Sequence, residues 1–170
     1  FSSIQTRLLV AYLSIVALVL LLLNTYPLTI SRDLIFSSKQ TSLKNQAVLI
    51  STSAGALDSL TEDSLSQVMS MLDTDCLSTI IITDADPKVL YEEDSINSRD
   101  NADQIQSLLS RALSGFDEFY SAFQNGGFYS SSAVPIMRSS TVTGSVYISE
   151  YDREQGEILL NLQNNLRSIS

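Results

Sequence analysis

The chain has no histidine and no tryptophan, one cysteine, three prolines and six glycines among its 170 residues. Without histidine there is no imidazole base, no Ser-His dyad and no His-ligated zinc. A single Cys76 excludes an internal disulfide, and its place before the apolar run LSTIII reads as a buried small hydrophobe rather than a reactive thiol. Basic charge is scarce as well, with 10 Lys and Arg against 19 Asp and Glu. That balance argues against nucleic acid as a partner and against lying flat on anionic lipid, since both attract basic surfaces. No nucleophile, base and orienting group fall together, so no catalytic residue and no cofactor are assigned.

What the sequence does have is a long hydrophobic run at one end. Leu8 to Leu23 reads LLVAYLSIVALVLLLL, without charge and interrupted only by Tyr12 and Ser14. Ile4 before it and Tyr26, Leu28 and Ile30 after it extend the stretch to the ~20 residues that a helix needs to cross a bilayer. The run is longer than the 7–15 residues typical of a signal-peptide core, and LNTYPLTISRD after it offers no small-x-small cleavage site. An uncleaved anchor is therefore expected. Arg7 stands at its N-terminal edge and no basic residue follows until Arg32, so the short N-terminus should stay in the cytoplasm and residues after Asn24 outside. All the acidic residues fall at or after Asp33, and only Arg7 and Arg32 of the basic ones precede it. Residues 33–170 thus carry eight positive and nineteen negative charges, a net of −11. The first residue is Phe, not Met, which predicts a trimmed start. The resulting division is 1–30 cytoplasmic stub and transmembrane helix, 31–153 extracytoplasmic domain, and 154–170 exit helix leading back to the plasma membrane.

The ~140 residues behind the anchor suffice for one compact domain and not for two. Leu34, Ile35, Leu43, Ala47, Ile50, Ala54 and Leu57 recur at helical spacing, predicting a long amphipathic helix that loosens near Gly55. Within it, Leu43, Ile50 and Leu57 repeat every seven residues and predict a seam facing a second copy, hence a homodimer. Thr61 reads as the N-cap of a short helix to about Leu72, with Glu62 and Asp63 in its first turn. The period then changes. Thr79–Thr83 and Val89–Tyr91 are strand-like about the turn Asp84-Ala85-Asp86-Pro87-Lys88. Gln104–Leu113 has helix spacing and Gly115 is its stop. Phe116–Phe123, Phe128–Met137 and Thr141–Ser149 follow as strands, the first two joined at Asn125-Gly126-Gly127. Residues 152–170 read as a last helix. Five strands joined mostly as hairpins, with helices on them, make an α+β fold.

Three stretches in this order resemble the extracytoplasmic PAS-like (single Cache) sensor domains of bacterial two-component sensor histidine kinases. SIQTRLLVAYLSIVALVLLLL is similar to their first transmembrane segment, IIITDADPKVLYE to their core strand pair, and SAVPIMRSSTVTGSVYISEYD to their closing hairpin. The resemblance implies an N-terminal transmembrane helix continuing into a long helix packed on a five-stranded antiparallel PAS-like sheet. It implies a signal-input region that detects an extracytoplasmic stimulus, with the enzyme activity, a histidine protein kinase, belonging to the parent protein. A cytoplasmic response regulator would then be reached only through that absent output domain. Chemoreceptors and cyclic-dinucleotide enzymes carry the same kind of input. A pilin-like assembly subunit also begins with Phe and an apolar helix, but Gln5 stands where pilins commonly place Glu, and Arg7 would be buried at a cost of several kcal/mol.

In PAS-like domains the ligand usually sits on the sheet face opposite the long helix. Tyr91, Phe119, Tyr120, Phe128, Tyr129 and Tyr147 could wall such a pocket for a small molecule, with Arg138 pairing a carboxylate. The acidic stretch Glu92, Glu93 and Asp94, with Asp100 and Asp103, is an alternative cation site, although it reads more simply as a solvated loop. Asp84 and Asp86 read as turn-capping residues rather than metal ligands, because Pro87 and Lys88 follow in place of further oxygens.

Overall fold

The computed structural model describes residues 4–94, 101–124, 126–154 and 157. Asp100, Asn125 and nearly all of the expected closing helix lie outside them. Contacts divide the chain into two units, Phe1–Ser38 and Lys39–Ser170.

Helix α1 runs Ile4–Gly55. In the first unit its apolar side chains from Leu8 to Leu22 are exposed. The Ser14 hydroxyl donates to the Val10 carbonyl at 2.8 Å, so this hydroxyl of the run bonds within its own helix. Among the described residues no helix is long and apolar enough to cross a membrane.

In the second unit, α2 (Glu62–Met69) starts as the sequence predicts. Thr61 Oγ1 accepts from the Ser64 amide and Ser64 Oγ accepts from the Thr61 amide, a reciprocal cap of the first turn. Strands β1 (Thr79–Asp84), β2 (Val89–Asp94), β3 (Glu118–Gln124), β4 (Gly127–Arg138) and β5 (Thr141–Asp152) form one antiparallel sheet in the order β2-β1-β5-β4-β3, with α3 (Ala102–Leu113) between β2 and β3 in the chain. Glu92, Glu93 and Asp94 are strand, not loop, a correction that follows from their pairing with Ile81, Ile80 and Thr79. The β1–β2 turn is held by Asp84, whose Oδ1 accepts from the amides of Asp86 at 3.0 Å and Lys88 at 2.9 Å.

Both faces of the sheet are covered. Leu43, Ala47, Ile50 and Ala54 of α1, with Leu65 and Met69 of α2, pack on Ile80, Ile82, Val134, Ile136, Val146 and Ile148. Ile105, Leu108, Leu109 and Ala112 of α3 pack on Ile81, Ala133 and Tyr147 from the other side. The alternation along β1 explains its unbroken Ile run, because a strand buried on both faces has no solvent side to mark with polar residues.

This arrangement corrects the expectation that Leu43, Ile50 and Leu57 face a second copy. Leu43 and Ile50 are 0% and 3% exposed within the chain's own core, and Leu57 packs against the same cluster. A seven-residue spacing selects one face of a helix without saying what covers it, and here the sheet covers it. Each such side chain contributes about 1.5–3 kcal/mol by leaving water. Cys76 is also corrected: it is exposed in the loop leading to β1, and the buried residue there is its neighbour Leu77. Gly144 marks a close approach, since a Cβ added to it would overlap the Thr83 carbonyl.

Candidate functional site

On the α3 face the alternation of β1 places Thr79, Ile81 and Thr83 in a row. Their partners across the ladder are Asp94, Glu92 and Val89. Helix α3 returns over this corner with Ile105, Gln106, Leu109 and Ser110 at helical spacing. Between them lies a cavity of about 360 Å³, lined also by Pro87 and Ala102. It sits beneath α3 at the β2 edge of the sheet, large enough for a small organic molecule.

The walls are chemically divided. Ile81, Ile105, Leu109 and Val89 give the apolar surface. Thr83 is committed to the sheet, its hydroxyl 2.7 Å from that of Ser145. Ser110 is committed to its own helix, donating to the Gln106 carbonyl at 2.8 Å. Thr79 donates to Asp94 Oδ1 at 3.1 Å, which orients that carboxylate. The charged lining residues are Glu92 and Asp94, both exposed at the mouth.

Beyond the cavity on the same face the sheet is polar and buried. Thr79 pairs with Ser149, which pairs with Ser131, all three essentially inaccessible. Next to them the hydroxyls of Tyr129 and Tyr147 are 2.5 Å apart. Burial, then the adjoining Tyr129 hydroxyl, push the Tyr147 phenol far above its ordinary pKa.

The structure does not bring the seven residues expected to wall a pocket onto one face. Tyr120, Tyr129 and Tyr147 lie on the α3 side, whereas Tyr91 and Phe119 pack on the α1-side core. Phe128, in two-residue steps from Val134 along β4, falls on the α1 side too. The Tyr91 hydroxyl donates to Glu93 Oε2 at 3.0 Å, and burial followed by this carboxylate raises its pKa. Arg138 ends β4 and donates through Nη1 to the Asp58 carbonyl at 2.9 Å, tying the β4–β5 hairpin to the segment after α1. None of the seven lines the cavity. Of the acidic group, Glu92 and Asp94 do line it, Glu93 points to the other face, and Asp103 lies in the first turn of α3 outside the lining. Among the described residues no three acidic or cysteine side chains are grouped to hold a metal ion. The signal for the true lining was the alternation Thr79-Ile81-Thr83 together with the Ile105/Leu109 stripe, which reads equally as plain core.

At the far end of β5, Lys39 of α1 bonds both Glu150 and Asp152. Burial pulls its pKa down, but the bonds to the two carboxylates outweigh it and hold the ammonium above its ordinary value.

No protein-family model matches the chain, and no curated protein matches it. Among solved structures it is similar to the ligand-binding domain of the Pseudomonas aeruginosa PAO1 amino acid chemoreceptor PctC, solved in complex with GABA. That likeness has a TM-score of 0.56 at 11% identity, and covers 74% of this chain and 58% of that domain. The chain thus spans less than two thirds of that receptor domain. Weaker likenesses are to the sensor region of a sensor histidine kinase (TM-score 0.34, 13% identity, 46% of this chain, 40% of that one) and to a sensory box sensor histidine kinase from Vibrio cholerae (0.35, 14%, 53% and 92%). The likeness to the PctC domain is one of fold.

Proposed function

We propose that this chain is the signal-input region of a membrane-bound receptor, held outside the plasma membrane and responding to a small ligand in the cavity under α3. The carrying observation is the cavity itself, formed by β1, β2 and α3 of a fold shared with a chemoreceptor ligand-binding domain. The anchor is proposed from the sequence: the exposed apolar run Leu8–Leu22 adjoins Leu23, Tyr26, Leu28 and Ile30, which together reach the ~20 residues of a span. The orientation follows from Arg7 and from the acidic excess after Asp33.

A ligand under α3 would shift that helix against β4 and β5, on which it packs. Strand β5 ends at Glu150 and Asp152, bonded to Lys39 on α1, so the movement has a route to the helix that continues toward the anchor. A two-component histidine kinase is the output that the sequence resemblance favours. The likeness to the PctC domain is the specific observation in favour of a chemoreceptor output. A homodimer would use the α1 face carrying Val48 and Leu49, 42% and 55% exposed, in place of the buried stripe.

Thermal unfolding of the full chain in lipid nanodiscs, against a panel of small metabolites, tests the reading. A ligand that binds the folded state must raise the midpoint by mass action. Leu109→Trp and Gln106→Trp, which fill the cavity and block its mouth, should abolish the rise. A rise unaffected by both substitutions would remove the cavity from the proposal.

A further inference from the structure

We infer that this cavity takes a primary or secondary organic amine with an apolar body, its nitrogen held by Glu92 and Asp94; this rests on the reading of the cavity as the ligand site. Glu92 and Asp94 are two residues apart on β2, roughly 7 Å at the backbone, and share a face, so both carboxylates stand at one mouth. An ammonium placed between them reaches both, and each N–H to a carboxylate is a charge-assisted bond. Asp94 is already oriented by the Thr79 hydroxyl at 3.1 Å, so less side-chain freedom is lost when a ligand arrives. Behind the mouth, Ile81, Leu109 and Ile105 offer an apolar wall that suits a hydrocarbon body and has no use for a second charge.

The same lining argues against other classes. Among the described residues no Lys or Arg lines the cavity, and Lys88 stands in the turn at the opposite end of β2 from Asp94, so a carboxylate or phosphate ligand meets like charge at Glu92 and Asp94. An amino acid would have to leave its carboxylate unpaired beside Glu92 or in water. Among the described residues no aromatic side chain lines the cavity, so a quaternary ammonium finds no cage of ring faces there and has no N–H to offer the carboxylates. Divalent metal is disfavoured because it needs more oxygen ligands than two carboxylates supply and no third joins them among the described residues.

The test is isothermal titration of the full chain in zwitterionic nanodiscs with matched probes. One set is phenethylamine, phenethyl alcohol, hydrocinnamate and phenylalanine; the other is hexylamine, hexanol and hexanoate. The amines should bind roughly threefold to fivefold more tightly than the alcohols, since an exposed ion pair is worth no more than about 1 kcal/mol. The acids and phenylalanine should bind more weakly than the alcohols. Glu92→Gln/Asp94→Asn should erase the amine advantage, while Asp58→Asn/Glu62→Gln, remote acidic changes, should leave it and so exclude general attraction to an acidic protein. Binding of amine and alcohol with equal affinity, abolished by Gln106→Trp, would overturn the amine assignment and keep the cavity. Failure of every amine to bind would overturn the assignment. Binding indifferent to Gln106→Trp and Leu109→Trp would overturn both. Unligated melting curves confirm that each variant is folded before its titration is read.

Discussion

The ammonium of Lys39 lies 3.0 Å from the carboxylate of Asp152, so the first residue of the second unit is fastened to the last residue of β5. Glu150 completes the contact, and all three side chains are less than one fifth exposed. Lys39→Met should cost about 1–3 kcal/mol, because it leaves two partly buried carboxylates side by side without their cation. The raised pKa of Lys39 sets the sign with pH. Its contribution is fully present below the ordinary 10.5 and is lost as pH rises through the folded-state value. Urea unfolding of both chains at neutral pH checks this, and equal midpoints would show the triad to be energetically idle.

The β4–β5 hairpin turns on Ser139 and Ser140, both in the left-handed region with φ of 47° and 66°. Two positive φ values are what a two-residue hairpin turn of matching twist requires, and Asn-Gly adopts them with least strain. Serine has no such ease, so Ser139→Asn/Ser140→Gly should raise stability by about 1 kcal/mol. Chemical denaturation of the double variant measures it. A loss of stability would mean that the serine hydroxyls hold the turn in some further way.

Tyr147 should remain un-ionised when the exposed tyrosines titrate. Its folded pKa lies above the unfolded value of 10, so its contribution to stability is present below that value and is lost as pH rises toward the folded one. Tyrosinate absorbance should therefore show a phenol that ionises only as the chain unfolds in alkali. In Tyr147→Phe that delayed step should vanish. Its persistence would assign the late phenol elsewhere.

Much of the scaffold was legible. The Thr61 cap, the Asp84 turn and the change of period at Leu77 each follow from one residue's local chemistry, and each is found where the residues place it. Partners across the fold were not legible in the same way. The spacing of Leu43 and Ile50 states that one face of α1 is buried, yet a sheet and a second copy satisfy it equally. The aromatics misled for a related reason. Side chains on a strand alternate faces, and Tyr91, Phe119 and Phe128 fall on the other side from Tyr129 and Tyr147 once the register is known. Glu92 and Asp94 were visible as acid, but only their pairing with Ile81 and Thr79 brings them to the cavity mouth.

The central claim, that ligand enters between α3 and β1–β2, is tested most directly by methyl NMR of the full chain in nanodiscs, titrated with phenethylamine. Shifts should concentrate on Ile81, Val89, Ile105 and Leu109, which line the cavity, and leave Ile80, Ile82, Leu43 and Ile50 on the α1 face nearly unmoved. Shifts centred on the α1-face methyls, or none at concentrations where heat of binding is seen, would contradict the account.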